Sequence, residues 1–274
     1  MNNGSPETDG QEEPPVLVDR HDHKMYITLN RPKALNAQNV PLRILVANAV
    51  AELDADPDLQ VGIITGVGGR AFSAGADLRE VTATNDANTA GGTTNGRRPT
   101  PEQQRSNWIH FETLRWAAKP LIAAIDGYCV GGGLELANYC DIRIATEAST
   151  FGQPEPRTVG ATGGPALHQL SRLMPLGEAM LIHLTSQPMP ARRAYEVGLI
   201  QRLCADRDAL MQEADVIADQ MLACNPEALR VLKRVVKWGI DMSADQVEKM
   251  HYLADESRWA AQQTTDWTPS WNRG

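Results

Sequence analysis

The feature that most constrains this chain is an apolar, strand-like run that leads into a turn of three glycines. Residues 121–125 are all apolar, and the glycines at 131–133 open onto residues 134–140, which have the composition of a helix start. Glycine at such a junction permits dihedral angles that a side chain would forbid, and it exposes backbone amides at the positive end of the helix. Glu135 falls in the first turn of this helix. The stretch therefore suits a reaction that develops negative charge on oxygen while a proton moves.

The composition of the chain excludes several classes of protein. Its 274 residues are enough for one large α/β domain or two smaller ones, with a sizeable core in either case. The formal net charge of -8 argues against a nucleic-acid or anionic-membrane binder, although a local basic patch for a phosphorylated small molecule stays open. The four cysteines are widely spaced without a C-x-x-C pair, so we expect a reducing cytoplasm and neither a zinc site nor a disulfide framework.

Short strand patterns alternate with helical ones along the rest of the chain. Residues 1–15 are polar and acidic, and they are interpreted as a disordered tail instead of a signal peptide; no apolar run is long enough to cross a bilayer. His21 and His23 fall in the turn of an opening hairpin with no third ligand nearby, so no metal site is predicted. The next helix is predicted to bury Leu45 and to expose Arg43. Strands are predicted at 16–18, 25–29, 61–65 and 141–145, and C-terminal helices at 206–223, 226–240 and 243–260.

Two further stretches supply candidate functional groups. In residues 71–78, small side chains precede a helix whose N-cap is Asp77 or a neighbour, which gives a second candidate amide donor. A second carboxylate, Glu155, follows a proline-stiffened bend. A lone loop glutamate is usually a solvated surface residue, so the functional interpretation of Glu155 depends on its pairing with Glu135. The glycines at 66–69 lack the G-x-G-x-x-G spacing, and they are interpreted as a turn instead of a nucleotide site.

In their order along the chain, these motifs resemble the crotonase superfamily, also called the enoyl-CoA hydratase/isomerase family. The resemblance covers roughly residues 16–204, and it implies an α/β fold with a crotonase-like ββα spiral core at 16–204 and a C-terminal helical region at 205–274. Family members are commonly trimers or dimers of trimers, so a homotrimer or a dimer of trimers is expected here. The segments that carry the resemblance are 31–37 (R-P-K-A-L-N-A), 71–78 (A-F-S-A-G-A-D-L), 119–120 with 131–137, 140–141, and 151–155 (F-G-Q-P-E).

The resemblance also assigns catalytic roles. In the family, two backbone amides form an oxyanion hole for a thioester carbonyl, and the matching positions here are Ala76 and Gly132. The family's hydratases carry two glutamates, which match Glu135 for activating water and Glu155 for protonating the α-carbon. The chemistry agrees, because attack of water on an α,β-unsaturated thioester moves charge onto the carbonyl oxygen, where two fixed amides stabilise it. Two carboxyl groups can hold one water between them.

An acyl-CoA thioester is the substrate that the resemblance implies. Coenzyme A is then part of the substrate, and no separate cofactor, no metal, and no nucleic-acid or membrane partner is expected. The positions that match the family's coenzyme A contacts are Lys33, Ala34, Leu35, Ala74, Asp77, Leu78 and Arg79. By resemblance the first three lie beside the nucleotide, and the other four shape the path of the adenine and the pantetheine. A lysine near phosphate suits an acidic protein with one local basic site.

The sequence departs from the family pattern in two places. Residues 156–165 are shorter than the family's glycine-rich segment and include Pro165, so we expect this wall of the pocket to decide which acyl group fits. The usual lysine-bearing C-terminal motif is missing, so no phosphate contact is expected from it. Trp259, Trp267 and Trp271 are assigned to packing or subunit contacts instead of a ligand cage.

Several alternatives stay open at this point. The principal hypothesis is an enoyl-CoA hydratase that converts a trans-2-enoyl-CoA into a 3-hydroxyacyl-CoA. The nearest alternatives are double-bond isomerisation or thioester hydrolysis on the same oxyanion hole, and a non-catalytic protein that binds acyl-CoA. Residues 82–101, rich in Thr, Asn, Gly and Ala, are interpreted as a mobile loop that is either a lid or plain disorder.

Overall fold

The computed structural model describes residues 13–80, 114–158 and 167–262, except for the side chains of Leu167 and of residues 254–262. Most of the predicted 1–15 tail, the 82–101 loop and residues 159–165 of the predicted pocket wall lie outside the described residues. The same is true of Trp267, Trp271 and the side chain of Trp259.

Strands and helices alternate along the described chain. The strands are β1 (Val16–His21), β2 (Lys24–Leu29), β3 (Val61–Gly66), β4 (Ala71–Ser73), β5 (Leu121–Ile125), β6 (Tyr128–Val130), β7 (Ile142–Thr146), β8 (Thr150–Gly152), β9 (Met189–Pro190) and β10 (Arg202–Cys204). The helices are α1 (Val40–Ala55), α2 (Gly132–Tyr139), α3 (Glu155–Thr158), α4 (Leu170–Leu173), α5 (Leu176–Thr185), α6 (Ala191–Glu196), α7 (Arg207–Leu222), α8 (Pro226–Gly239) and α9 (Ala244–Gln262). Of these helices, none is long and apolar enough to cross a membrane.

The strands form two sheets that the chain visits in turn. The larger sheet has the order β1-β2-β3-β5-β7-β10 and is parallel apart from the β1–β2 hairpin. The smaller sheet has the order β4-β6-β8-β9, with β4, β6 and β8 parallel to one another. Each of β3, β5 and β7 in the larger sheet is thus followed by a partner strand in the smaller sheet and then by helical residues. This repeated ββα unit is the spiral that the sequence predicts.

The core lies on both faces of the larger sheet because successive side chains of a strand point to opposite sides. On β3, Ile63 packs with Leu210 and Ala214 of α7, whereas Ile64 belongs to the main cluster around Phe72. Helix α7 therefore shares a hydrophobic core with the strands, although it follows β10, the last strand. The division of the chain at residue 204 stays a prediction.

The structure corrects several local predictions. The glycine turn follows β6, a short strand that the sequence did not reveal, and does not follow β5 directly. Gly127 makes the tight turn between these two strands: its φ is +79°, and a Cβ there would lie 2.2 Å from the Arg70 carbonyl oxygen. In α1 two of the predicted exposures are wrong, since Arg43 is buried and Leu45 is exposed. Arg43 reaches inward because its guanidinium donates to the Gln38 carbonyl oxygen at 2.9 Å.

Candidate active site

Three segments that are distant in sequence meet at one edge of the smaller sheet. Because β4, β6 and β8 are parallel neighbours, their carboxyl ends lie side by side, and the residues that follow each strand come together. After β4 the chain carries Ala76, after β6 it carries Gly132 and Glu135, and after β8 it carries Glu155. The fold thus brings all four predicted catalytic positions to the same region.

The two predicted oxyanion-hole amides are close neighbours. A Cβ placed on Gly75 would lie 2.9 Å from the Gly132 nitrogen, and one placed on Gly132 would lie 3.5 Å from the Ala76 nitrogen. Within the described residues, neither the Ala76 amide nor the Gly132 amide donates a hydrogen bond. Gly132 is also the first residue of α2, where the helix dipole favours negative charge. The pair can therefore receive an oxyanion.

Gln38 ties these two amide-bearing segments together. Its backbone forms a parallel bridge with Ala76, in which the Gln38 amide donates to the Gly75 carbonyl at 2.7 Å and the Asp77 amide donates to the Gln38 carbonyl at 3.2 Å. Its side-chain nitrogen donates to the Gly132 carbonyl oxygen at 3.0 Å. The residue is fully buried. Its contacts join the segments after β4 and β6 at the point where the Ala76 and Gly132 amides meet.

Glu135 is almost completely buried at the start of α2, with 1% of its surface exposed. Its backbone amide donates to the Gly131 carbonyl at 3.1 Å, which places it one helical turn beyond the glycine that precedes the oxyanion-hole amide. A carboxylate in the first turn also interacts favourably with the helix dipole. The structure thus puts this side chain inside the protein, as a water-activating base in a water-poor pocket requires.

Glu155 contacts the same glycine through its carboxyl group. A Cβ on Gly131 would lie 2.6 Å from Oε1 of Glu155, so the carboxyl group rests against the bare glycine backbone. Burial raises the pKa of Glu155, and a hydrogen bond from its own backbone amide offsets part of this rise. A raised pKa favours the protonated form, which is the form that a general acid needs.

Gln153 contacts the Glu155 carboxyl group from two residues upstream. With its amide nitrogen turned toward the glutamate, it donates to both carboxyl oxygens, at 3.2 and 2.9 Å. With the amide oxygen turned that way, it would accept a hydrogen bond from a protonated carboxyl group. Gln153 is buried, so either orientation fixes the position of Glu155. The amide can serve both protonation states.

The two predicted coenzyme A segments are also adjacent. The Ala74 amide donates to the Leu35 carbonyl at 3.0 Å, which joins residues 33–35 to the segment after β4. Lys33 and Ala34 lie in a short 3-10 turn, Pro32–Ala34, and Lys33 is exposed. Within the described residues, the Lys33 ammonium forms no ion pair. It is therefore available to a phosphate group.

The remaining predicted coenzyme A positions differ in their surroundings. Leu78 and Arg79 are exposed beside the site, whereas Asp77 is buried. The Asp77 carboxylate pairs with Arg31 at 2.9 Å and accepts a hydrogen bond from the Arg79 amide at 3.1 Å. Asp77 thus holds the predicted nucleotide-binding loop against the segment after β4. These two contacts order the backbone of both segments, and a contact between Asp77 and coenzyme A stays a prediction.

Sequence reasoning missed Gln38 and Gln153. Each lies within or next to a motif that was recognised, since Gln38 follows R-P-K-A-L-N-A and Gln153 is the variable position of F-G-Q-P-E. A glutamine carries no charge and suggests no chemistry by itself, so only its three-dimensional contacts reveal a role. Groups of three or more metal-ligating side chains do not occur among the residues that the structure describes.

The spiral of ββα units defines the class of protein, a crotonase-like fold, and the paired amides lie at the positions where the sequence predicts an oxyanion hole. The sequence model of the enoyl-CoA hydratase/isomerase family matches residues 21–258, so this chain belongs to that family. The crotonase-like α/β fold predicted from the sequence is confirmed by similarity to solved structures. An enoyl-CoA hydratase from Mycobacterium marinum superposes with a TM-score of 0.78 at 33% sequence identity, over 90% of this chain and 91% of that one.

Relatives named as enoyl-CoA hydratases cover most of the chain. It is 33% identical over 230 residues to the short-chain-enoyl-CoA hydratase of Clostridium acetobutylicum, which is 84% of this chain and 84% of that protein. It is 36% identical over 233 residues to a probable enoyl-CoA hydratase of Mycobacterium bovis, again 84% of each chain. The similarity therefore spans both the spiral core and the helices that follow it.

Proposed function

We propose that this protein is an enoyl-CoA hydratase, which adds water across the double bond of a trans-2-enoyl-CoA to give a 3-hydroxyacyl-CoA. The observation that carries the proposal is the arrangement around Gly131. Within the described residues the adjacent amides of Ala76 and Gly132 donate no hydrogen bond, the Glu135 amide donates to the Gly131 carbonyl, and the Glu155 carboxyl group rests against Gly131. The names of the relatives support the same activity.

The amide pair supplies the electrophilic half of the reaction. When the thioester carbonyl oxygen lies between the Ala76 and Gly132 amides, both donate to it, and the carbonyl is polarised. Charge accumulates on this oxygen as the β-carbon is attacked, so the two hydrogen bonds strengthen in the transition state. Loss of one donor of this type typically costs about 3 kcal/mol of barrier.

The two carboxyl groups supply the proton transfers. Ionised Glu135 takes a proton from water as the water oxygen bonds to the β-carbon, and protonated Glu155 gives a proton to the α-carbon of the enolate. The raised pKa of Glu155 supports this division, since it keeps the acid form populated at higher pH. After product leaves, a proton passes from Glu135 to Glu155 through solvent, which restores both groups.

The acyl group, the assembly, the location and the pathway are proposed by analogy with the family. We expect a short acyl group, in keeping with the name of the Clostridium relative. A homotrimer or dimer of trimers, a cytoplasmic location and a place in the β-oxidation of fatty acids complete the proposal. Exposed apolar side chains on α5 and α8, such as Leu184 and Val236, support an assembly that covers them.

The proposal is tested with two isosteric variants, Glu135→Gln and Glu155→Gln. Each is expected to abolish hydration of crotonyl-CoA while leaving the affinity for a saturated acyl-CoA nearly unchanged, because the amide still fills the pocket but moves no proton. Turnover is followed by mass detection, and binding by calorimetry. Unchanged turnover in either variant contradicts the two-glutamate mechanism.

A panel of thioesters separates the proposed activity from its alternatives. Wild-type protein is incubated with 2-enoyl, 3-enoyl, 3-oxo and saturated acyl-CoA, and the products are identified by mass. A gain of one water on the 2-enoyl substrate supports hydration. Release of free coenzyme A indicates thioester hydrolysis, and an isomeric enoyl product indicates double-bond migration. Tight binding with no product from any thioester would identify a binding protein.

A further inference from the structure

Gln38 is held rigidly by its backbone. Its carbonyl oxygen accepts two hydrogen bonds, from the Asp77 amide at 3.2 Å and from Nη1 of Arg43 at 2.9 Å, and its amide donates to Gly75. Arg43 projects from α1 and is buried, so its guanidinium anchors Gln38 to a long helix. The segment that carries the Ala76 amide is therefore fixed against Gln38 and cannot shift independently of it.

The side chain of Gln38 extends from this anchor to the other amide-bearing segment. Nε2 donates to the Gly132 carbonyl at 3.0 Å, and Oε1 lies 2.7 Å from the place that a Cβ of residue 132 would occupy. The amide group thus lies against residue 132 both at its carbonyl and at the position where a Cβ would project. In effect it sets the distance and the orientation of Gly132 relative to Ala76.

Oε1 of Gln38 has no hydrogen-bond partner among the described residues, although the side chain is fully buried. Burying an amide oxygen without a donor is unfavourable, and a methionine of about the same length would fill the space without this penalty. A glutamine is therefore a destabilising choice at this position unless the hydrogen bond from its nitrogen to the Gly132 carbonyl contributes to function. Unsatisfied groups of this kind are found where a local rule is broken for function.

We infer that Gln38 is a positioning residue of the oxyanion hole, which holds the Gly132 amide in line with the Ala76 amide. The inference deepens the proposed function and rests on it for the identity of the substrate. Gln38 does not touch the reacting atoms in this role. It acts through the two amides, and so it controls how strongly a bound thioester carbonyl is polarised.

The test compares Gln38→Met with Gln201→Met as a matched control. Gln201 also joins two backbone segments, since it accepts from the Arg143 amide at 2.9 Å and donates to the Gly198 carbonyl at 3.0 Å, but it lies just before β10 and outside the candidate site. Gln38→Met is expected to lower kcat about tenfold or more with little change in KM, because small misplacements of catalytic groups are costly. Gln201→Met is expected to retain kcat.

A spectroscopic measurement reports polarisation directly. A conjugated enoyl-CoA absorbs at longer wavelength when its carbonyl is polarised, and turnover is prevented by working in a Glu135→Gln background. The absorption shift on binding is expected to be smaller with Gln38→Met and unchanged with Gln201→Met. If Gln38→Met does not fold, Gln38→Leu also removes the donor to the Gly132 carbonyl without burying a charge, so the shift should fall there too.

The outcomes are distinct. A folded Gln38 variant with wild-type kcat and an undiminished absorption shift overturns the inference, as does an equal loss in Gln201→Met. If wild-type protein hydrates no enoyl-CoA but still shifts the absorption of the bound ligand, and the Gln38 variant loses that shift, the proposed function fails while the positioning role stands.

Discussion

Substituting Gly75 by alanine tests the oxyanion hole with a single methyl group. Gly75 precedes Ala76 and has a φ of +88°, and a Cβ there would meet the Gly132 nitrogen and the Val130 carbonyl oxygen, both at 2.9 Å. Both neighbours are backbone atoms, which cannot swing aside as a side chain does. The methyl group must therefore push the segment after β4 away from the segment after β6.

The expected magnitude has two parts. The positive φ costs any residue with a side chain roughly 1 kcal/mol of stability. The 2.9 Å contacts fall about 0.5 Å short of an ordinary contact, so the gap between the two oxyanion-hole amides must widen by a comparable amount. Since a 1 Å misplacement can cost about 100-fold in rate, we expect kcat to fall roughly 10- to 100-fold.

Gly198→Ala is the matched control. Gly198 has nearly the same φ, +83°, but a Cβ there meets nothing within 4 Å. It should carry the backbone strain alone, which lowers Tm by about 2–4 °C for each kcal/mol in a chain of this size. Crotonyl-CoA hydration and thermal unfolding are measured for both variants. Gly75→Ala should lose rate beyond any loss in Gly198→Ala.

The reasoning is refuted by a specific result. If Gly75→Ala is folded, binds a saturated acyl-CoA and hydrates crotonyl-CoA as fast as Gly198→Ala, then the spacing of these two amides does not control the reaction. If only Gly75→Ala is partly unfolded, the absorption of a bound conjugated enoyl-CoA is measured at a temperature where part of the variant remains native. This measurement reports the polarisation of the carbonyl in the native fraction.

Three further predictions concern charge. Because the pKa of Glu155 is raised in the folded state, its proton contributes stability that is fully present below the ordinary glutamate pKa and is lost as pH rises through the raised value. Glutamine has no such proton to lose. The Tm of Glu155→Gln minus the Tm of wild type should therefore increase from pH 4 to pH 8. A constant Tm difference across this range contradicts it. Gln153→Leu removes a donor to the Glu155 carboxylate, so the alkaline limb of the kcat profile should move to higher pH, whereas an unmoved limb excludes this contact. Lys33→Ala should raise KM several-fold at low salt with kcat unchanged, and this effect should shrink for a substrate that lacks the 3′-phosphate if that group is the partner. Equal effects on both substrates would point to the diphosphate instead.

Local pattern was sufficient for much of the fold. The apolar run at residues 121–125 became β5 with the predicted bounds, because a strand buried on both faces is apolar throughout. The strand β6 escaped prediction because Tyr128–Val130 is too short for a periodic pattern. The exposure of α1 was wrong at Arg43 because the Gln38 carbonyl, which arrives from outside the helix, accepts its charge-assisted hydrogen bond.

The candidate site, like the fold, was predicted only in part from the sequence. Ala76, Gly132, Glu135 and Glu155 were identified because glycine turns and carboxylates carry recognisable chemistry, and their assigned roles stay predictions that the variants above test. Gln38 and Gln153 could not be found this way, since the role of an amide side chain is evident only from its hydrogen-bond partners in the folded protein.

The sequence by itself determined the family, the spiral class of fold and the residue types at the site, because these depend on short motifs in a fixed order. Tertiary structure decided which segments meet. Parallel pairing of β4, β6 and β8 brings their carboxyl ends to one edge, and only there do the amides of Ala76 and Gly132 lie close together. The physical reason is that strand pairing joins segments far apart in the chain, and no local pattern encodes that partnership.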